Sequence, residues 1–527
     1  MKKLIKNGFI VDGTGEKGFK ADILINEDVI EKIGSIDSVD GAEVIDADGL
    51  VVSPGFIDTH SHSSLLLFQD PYLSPKIRQG ITTELVSQDG MGPAPVDDKS
   101  LSSWKKAMSG LEGDYPAPWS WRSVKDYLDT IEKLDLGPNI AYLAPHGNVK
   151  FVAMGQDNRK PTTEETKAMQ DVLRQAMDDG AYGMSTGLIY PPGCYADTEE
   201  LIALGEVLKE KAGVFVTHQR SEADSILDSM DEILTVGRKS GCRIHFSHFK
   251  VCGKNNWDKI DDVLDRLENF RKDGQIVTFD QYPYVAGSTM MSVILPPWVH
   301  DGGTDKLIER LADTELREKM KQDIAEGIPG WDNFVEFAGY DGIFVTFTGS
   351  DKNADTIGKN LTEIGKMKGK EPLDAIFDVI YEEKNLVGLV DFYGTEEHVK
   401  LFMNRPEQNV CTDGIMGGKP HPRVYGTFPR VLGKYVREEK LFSLETAINK
   451  MTKKPADMLK ITDRGLLKEG LAADIVIFDA ETIRDKGDYE NPIQYPVGIE
   501  YVIVNGKVLI NKGEPTPQKA GKVLRRK

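Results

Sequence analysis

The stretch from residue 54 to about residue 460 alternates short apolar runs with amphipathic helical segments that end in glycine. In the clearest unit, Thr162 and Glu165 have the spacing of a capping box, helical periodicity follows, and Gly180 ends the helix before the strand-like AYGMSTG. Later helices end in the same way before apolar runs, at Gly213, at Gly241 and near Gly274. This alternation predicts parallel strands joined by crossover helices.

Eight candidate strands occur in this stretch: GFIDTHSH, TTELVSQD, NIAYLAPHG, AYGMSTG, VFVTHQ, RIHFSHF, QIVTFDQ and NVCTDG. Eight strand–helix units predict an α/β fold built on a closed (β/α)8 barrel of the TIM type. An open, doubly wound sheet is the structural alternative. Residues from about 285 to 405 separate the last two strands and contain helical segments of their own, so we expect an insertion over the barrel mouth.

The two ends of the chain carry similar short β-patterns. LIKNGFIVDG (residues 4–13) and VIVNGKVLIN (residues 502–511) each have a strand, an Asn-Gly pair that favours a tight turn, and a second strand. Further strand-like runs lie close to both. We expect residues 1–53 and 466–527 to form one small β-sandwich domain together, and residues 54–465 to form the barrel domain. Two unrelated terminal hairpins are the alternative.

Histidine and aspartate side chains stand at the C-terminal ends of the candidate barrel strands. His60 and His62 alternate on the first strand, so both point to one face, which is the interior in a barrel. Other strands end in Asp89, His218, His248 and Asp413. Barrel enzymes build their active sites at this end, and neutral imidazole and carboxylate are good metal ligands. The pattern therefore predicts a metal site at the barrel rim.

The composition of the chain limits the possible partners. A net charge of −19 argues against binding to nucleic acid, which requires a basic face. The N-terminal residues lack the apolar core of a signal peptide, and no apolar run approaches the length of a membrane span. The four cysteines have no CxxC spacing. We therefore expect a cytoplasmic enzyme with no nucleic-acid or membrane partner; the sequence does not specify its oligomeric state.

Several longer runs resemble a known group of enzymes. PGFIDTHSH, the spaced histidines and the final aspartate resemble the amidohydrolase superfamily. GAYGMSTGLIYPPG, THQRSE, SHFK, FDQYPY, HPRVYGTFPRVLGKYVRE and MTKKPA resemble its N-acyl-D-amino-acid deacylase (D-aminoacylase) family. HPRVYGTFPRVLG is the most specific of these runs, and the resemblance covers nearly the whole chain. It implies a zinc-dependent hydrolase of linear amide bonds that acts on a small-molecule N-acyl amino acid.

The resemblance also implies roles for individual residues. Asp89, His218 and His248 would hold the principal zinc ion, and His60 and His62 would complete that site or hold a second, weaker ion. The better-known D-aminoacylases have a metal-binding cysteine where this chain has Asp89, whose carboxylate is a harder ligand. Asp413 would act as the general base and acid, and Tyr190 would donate a hydrogen bond to the oxyanion.

Cationic and hydroxyl side chains are expected to bind the α-carboxylate of the substrate. Lys250 lies two residues after His248, so strand alternation points both to the same side. Arg423, Tyr282 and Ser288 are further candidates by resemblance. Arg220 follows His218 at the same spacing, with pairing to a nearby acid as its alternative.

Two other functions are compatible with a metal-lined barrel. A related enzyme could act on cyclic amides, dipeptides or aminated heterocycles, because barrel amidohydrolases change substrate through their loops. Cyclic-amide hydrolases of this type use a carboxylated lysine on the fourth strand, and AYGMSTG contains no lysine. A non-catalytic scaffold would be expected to lack a ligand or the final aspartate, whereas this chain has a competent residue at every position.

Overall fold

The computed structural model describes residues 2–526 and contains a closed barrel of eight parallel strands. In chain order these are Phe56–Ser61, Ile81–Val86, Asn139–Tyr142 continued by Ala144–Pro145, Gly183–Gly187, Val214–His218, Arg243–Phe246, Val277–Gln281 and Gln408–Val410. Each strand pairs in parallel with the next. A parallel bridge between Ser61 and Gly414 joins the first strand to the end of the eighth. The predicted barrel is therefore confirmed.

Helices connect and surround these strands: Ser74–Ile77, Leu101–Glu112, Val124–Ile131, His146–Met154, Thr163–Asp178, Thr198–Glu210, Ile226–Ser240, Ile260–Lys272, Arg423–Arg430, the π-helix Val431–Glu438, Leu444–Met451 and Lys453–Leu459. The predicted capping box is present: Thr162 Oγ1 accepts a hydrogen bond from Glu165 N, and Glu165 Oε2 accepts one from Thr162 N. Across residues 2–526, no helix combines the length and the apolar character needed to cross a bilayer.

A three-stranded antiparallel sheet and several helices lie between the seventh and eighth barrel strands. Val387–Phe392 is the central strand, flanked by Ala286–Met290 and Ile343–Thr348. The helices of this insertion are Thr304–Leu311, Thr314–Glu326, Phe334–Ala338, Leu361–Lys368, Pro372–Glu382 and Glu396–Met403. Short 3-10 helices in the chain are Leu66–Phe68, Gly193–Tyr195, Lys254–Lys259, Met291–Ile294, Pro297–His300, Tyr340–Gly342 and Asp351–Thr356. Leu188 of the barrel and Leu389 of the insertion belong to one apolar cluster, so the insertion packs on the barrel.

Both ends of the chain contribute to one nine-stranded sheet. Its strands are Lys2–Ile10, Phe19–Asn26, Val29–Gly34, Glu43–Asp46, Val51–Pro54, Ile475–Phe478, Ile499–Val504, Lys507–Asn511 and Glu514–Pro515. Val51–Pro54 pairs with Ile475–Phe478 and so joins the N-terminal and C-terminal halves. Ile23 and Ile503 come from strands that are not adjacent but share one apolar cluster, so the sheet curves over itself. The exact division into domains remains a prediction.

The two Asn-Gly pairs have different structures. Asn505 and Gly506 form the predicted turn, and the strands on either side of them pair in antiparallel fashion. The hairpin predicted at Asn7-Gly8 is wrong, because Lys2–Ile10 is one strand with a register shift at this point. Asn7 adopts a φ of 62°, and its N–H donates to Asp22 Oδ1 at 2.9 Å. The backbone N–H that the bulge removes from the strand pairing therefore still has a hydrogen-bond acceptor, and the strand continues past the bulge in the sheet.

Candidate active site

Two histidines of the first barrel strand and two aspartates meet inside the barrel mouth. His60 Nε2 lies 3.5 Å from Asp89 Oδ2 and 3.5 Å from Asp413 Oδ1. His62 Nε2 lies 3.5 Å from the same oxygen of Asp89 and 3.2 Å from Asp413 Oδ1. All four side chains are buried, and their ligand atoms lie within 4.8 Å of one another.

A second, overlapping group contains Asp89, His218 and His248. His248 Nε2 is 3.5 Å from Asp89 Oδ1, and His218 Nδ1 is 2.9 Å from His248 Nε2. The two carboxylate oxygens of Asp89 therefore face different histidines, and Asp89 is common to both groups. The structure brings all five predicted ligands together with Asp413. We call these five ligands, His60, His62, Asp89, His218 and His248, the metal cage.

Three of these residues have a left-handed backbone: Asp89 with a φ of 53°, His248 with 34° and Asp413 with 48°. Non-glycine residues adopt this conformation at an energetic cost, and such strain is concentrated at functional sites. Asp413 N donates to His60 O at 2.9 Å, and His248 N donates to Asp280 Oδ1 at 2.5 Å. These hydrogen bonds hold the strained backbone so that the side chains point into the cage.

The donor set of the cage fits a divalent metal ion. Within residues 2–526, both ring nitrogens of His60, Nε2 of His62 and Oδ1 of Asp89 are buried and have no hydrogen-bond partner. A buried polar atom without a partner is costly, and a shared cation would satisfy one ring nitrogen of His60 together with the atoms of His62 and Asp89. Burial would raise the pKa of Asp89, but His60 and the other histidines hold it well below its usual value. Ionised carboxylate and imidazole are ligands that zinc accepts.

Two glutamates that the sequence analysis missed support the histidines. Glu112 Oε1 lies 2.9 Å from His62 Nδ1. Glu222 Oε1 lies 3.2 Å from His248 Nδ1, and burial would raise the pKa of Glu222 but Lys250 lowers it to about 2. Carboxylates placed in this way fix the orientation of ligand imidazoles. Glu222 lies four residues after His218, which ends a strand, and this spacing could have identified Glu222 from the sequence. Glu112 ends a helix and has no regular spacing from His62.

A buried charge network fixes the chain next to Asp413. Asp58 Oδ1 accepts a hydrogen bond from Thr412 N at 2.8 Å, and Asp58 Oδ2 accepts one from Lys76 Nζ at 2.8 Å. Lys76 also pairs with Glu84 at 2.8 Å, and all of these side chains are fully buried. The network ties the first, second and eighth strands together where Asp413 emerges.

Asp413 is paired with Arg423 as well as facing the histidines. Arg423 Nη1 lies 2.9 Å from Asp413 Oδ2, and Arg423 Nη2 donates to Ser288 O at 3.0 Å. Burial would raise the pKa of Asp413, but Arg423 and His60 hold it well below its usual value. Asp413 is therefore ionised at neutral pH and able to accept a proton.

Three of the four predicted substrate-binding residues line the same cavity as most of the metal ligands, whereas Arg423 is not part of its lining. Lys250 Nζ lies 2.7 Å from Glu222 Oε2, and Tyr282 Oη shares a 2.7 Å hydrogen bond with Tyr393 Oη. Ser288 also lines this cavity. Arg220 does not take part, because its guanidinium pairs with Glu232 at 2.9 Å.

Tyr190 lies at the edge of the cage, with its ring centroid 5.5 Å from that of His218. Its hydroxyl shares a 2.8 Å hydrogen bond with Thr289 Oγ1. Burial, with a smaller effect of Asp89, raises the pKa of Tyr190 well above its usual value. The phenol therefore keeps its proton and can donate a hydrogen bond.

Known proteins resemble this chain over nearly its full length. The sequence profile of the amidohydrolase family matches residues 43–291 and 390–510. N-acyl-D-glutamate deacylase of Alcaligenes xylosoxydans xylosoxydans is 32% identical over 99% of this chain and 96% of that protein, and D-aminoacylase of the same organism is 32% identical over 99% and 97%. The crystal structure of N-acyl-D-glutamate deacylase from Bordetella bronchiseptica, complexed with zinc and a phosphonate mimic of the tetrahedral intermediate, has a TM-score of 0.84 at 31% identity over 99% of each chain. This chain therefore belongs to the amidohydrolase family and is a metal-dependent amide hydrolase.

Proposed function

We propose that this protein hydrolyses N-acyl-D-amino acids with zinc as its cofactor, releasing a carboxylic acid and a D-amino acid. One observation carries the proposal: Asp413, four of the five cage residues and the cation Lys250 line a single cavity. The full-length relatives named D-aminoacylase and N-acyl-D-glutamate deacylase support the choice of substrate class.

The cage residues would hold the metal in two overlapping groups. Asp89, His218 and His248 would bind the principal zinc ion, and His60 and His62 would complete its coordination or hold a second ion. Zinc bound there would lower the pKa of a water molecule and polarise the scissile carbonyl. Burial lowers the pKa of His218 to about 4, so its imidazole is neutral and suited to binding a cation.

Asp413 and Tyr190 are assigned the proton-transfer and oxyanion roles. Asp413 accepts the proton of the attacking water and later delivers it to the leaving nitrogen. The ion pair with Arg423 keeps Asp413 ionised before the reaction. Tyr190 donates its phenolic hydrogen to the oxygen that gains negative charge.

The α-carboxylate of the substrate is assigned to Lys250, Tyr282, Ser288 and Arg423. Arg423 Nε is buried without a hydrogen-bond partner in the described chain. A carboxylate oxygen would satisfy this donor while Nη1 remains with Asp413. An anionic group is therefore the expected occupant of this side of the cavity.

Action on a cyclic amide has less support. The fourth strand, Gly183–Gly187, contains no lysine that could be carboxylated to bridge two metals. A small-molecule substrate, a cytoplasmic location and the lack of nucleic-acid or membrane partners are part of the proposal.

The proposal is tested by supplying zinc-loaded protein with paired N-acetyl-D- and N-acetyl-L-amino acids, cyclic ureides and aminated heterocycles. We expect release of acetate from D-substrates at the highest kcat/KM, and loss of this activity after chelation. Turnover of a cyclic ureide or a heterocycle, with no release of acetate from any acetyl amino acid, would overturn the proposal.

A further inference from the structure

A second cavity of about 570 Å³ lies next to the metal cage, within the usual range of about 300–1,000 Å³ for small-molecule sites. It lies between the chain that follows the fourth barrel strand and the insertion. Tyr190, Asp332 and Phe334 line both this cavity and the one that contains the cage. The second cavity therefore adjoins the one in which a substrate would be held.

The walls of the second cavity are mainly apolar. They include Leu188, Ile189, Met290, Val293, Leu295 and Trp298. The indole N–H of Trp298 is satisfied by Asp323 Oδ2 at 2.7 Å, so the ring presents an apolar surface. A long aliphatic or aromatic group would be transferred from water into contact with these apolar side chains, which favours its binding.

No described arginine or lysine that lines the second cavity is free to bind an anion. Arg220 lies at its edge, but its Nε pairs with Glu232 at 2.9 Å and its Nη1 donates to Cys194 O at 2.9 Å. The other charged side chains of the lining are the acids Asp301 and Asp332. Asp332 accepts hydrogen bonds from Ser221 Oγ at 2.6 Å and Glu222 N at 2.7 Å.

The position of the anion-binding side limits what can enter. Lys250, Tyr282 and Arg423 come from the sixth and seventh strands and from the chain after the eighth, whereas the cavity lies beyond the fourth strand. If the α-carboxylate binds at these three residues and the amide lies at the cage, either the acyl group or the side chain of the amino acid extends into the second cavity.

We infer that the second cavity binds a bulky apolar group of the substrate and disfavours an acidic one, which narrows the proposed function on which the inference rests. Each buried methylene favours binding by roughly threefold to fourfold. A side-chain carboxylate would lose its hydration without gaining a cation. The substrate preference therefore differs from that named for the D-glutamate relative, at 32% identity.

Two substrate series test the inference and identify which group enters. In the first, zinc-loaded enzyme is given N-acetyl derivatives of D-alanine, D-leucine, D-phenylalanine, D-aspartate and D-glutamate. In the second, D-alanine carries acetyl, butyryl or hexanoyl groups. We expect kcat/KM to rise at least tenfold with apolar size in one series. A rise in the first series identifies the side chain as the group that enters, and kcat/KM should then be at least a hundredfold lower for D-glutamate than for D-leucine.

The possible failures can be told apart. Two flat series, or a response confined to the first series with D-aspartate or D-glutamate as the best substrate, would overturn the inference while leaving the proposed function intact. No hydrolysis of any N-acyl-D-amino acid would overturn the proposed function and the inference with it.

Substitutions of Ile328 test the cavity itself. Ile328 lines the cavity from the insertion and is only partly buried. Ile328→Trp should lower kcat/KM at least tenfold for the bulkiest good substrate and leave that for N-acetyl-D-alanine within twofold. Where the first series responds, Ile328→Lys should reduce the ratio of kcat/KM for N-acetyl-D-leucine to kcat/KM for N-acetyl-D-glutamate at least tenfold. The matched control Ile493→Lys, at a position 57% exposed in the terminal domain, should change neither ratio; Ile328 variants that behave like this control would contradict the inference.

Discussion

Arg423 Nη1 lies 2.9 Å from Asp413 Oδ2, and both side chains are buried, with Asp413 in the lining of the active-site cavity. The guanidinium therefore contacts the proposed general base, and its Nε, which has no hydrogen-bond partner within residues 2–526, is the group proposed to bind a substrate anion. Because the pair is removed from water, its electrostatic effect on Asp413 is screened far less than at the surface. Under the proposed function, substrate binding and the ionisation of the base would be coupled through this one side chain.

Asp413→Asn should lower kcat by about 10²–10⁴-fold, the usual contribution of a general acid–base group. The amide fills the same space but cannot accept the proton of water. Zinc content and the thermal unfolding midpoint measured alongside kcat should remain close to those of the unsubstituted protein. If kcat of the zinc-saturated Asp413→Asn variant is within tenfold of kcat of the unsubstituted protein, Asp413 is not the general base.

Asp89→Ala should abolish stable metal binding, because the two oxygens of Asp89 face the histidines of both groups. Asp89→Cys should retain at least one zinc ion per chain, since thiolate is a strong zinc ligand. Metal per chain is measured after dialysis against metal-free buffer. Equal zinc content in Asp89→Ala and in the unsubstituted protein would show that Asp89 is not a ligand.

Glu112→Gln should weaken zinc binding by about 10–100-fold, because Glu112 orients the ring of His62 at 2.9 Å. The dissociation constant is measured by competition with a chelator of known affinity. Glu164→Gln, at an exposed helix position, is the matched control and should have no effect. Identical affinities for the two variants would leave Glu112 with a packing role only.

Stability should decrease with rising pH because of Asp391. Burial raises the pKa of Asp391 to about 7 from the ordinary aspartate value of 3.8. The folded state therefore binds the proton more tightly than the unfolded state, so this contribution is fully present below about pH 4 and is lost as the pH rises through about 7.

Asp391→Asn should consequently reduce the fall in unfolding temperature between pH 5 and pH 8. Thermal unfolding of the zinc-loaded protein at several pH values measures this fall. The exposed substitution Asp355→Asn should leave it unchanged. A pH dependence in Asp391→Asn as steep as in this control would contradict the assignment.

The barrel and the metal ligands were predictable from local patterns. His60 and His62 alternate on a strand, and the other ligands end strands of one parallel barrel, so their convergence follows from the topology. The turn at Asn505-Gly506 was predictable for a similar local reason. At Asn7 the same dipeptide lies in a strand with partners on both edges, and pairing over the whole strand prevails over the turn preference.

The supporting residues were not predictable in the same way. Glu112 reaches His62 from the end of a helix between the second and third strands, so no spacing relates the two residues. Asp332 and Asp391 belong to the insertion, whose packing on the barrel depends on long-range contacts. Arg423 was predicted at the cavity, but its ion pair with Asp413 depends on where the chain turns after the eighth strand.

Anomalous diffraction at the zinc absorption edge, from crystals of the zinc-loaded protein, tests the central claim most directly. We predict a strong peak among His60, His62, Asp89, His218 and His248, at about 2.0–2.2 Å from the coordinating nitrogen and oxygen atoms. Absence of a peak between these side chains, or zinc bound only elsewhere on the protein, would contradict the claim that they form a metal centre.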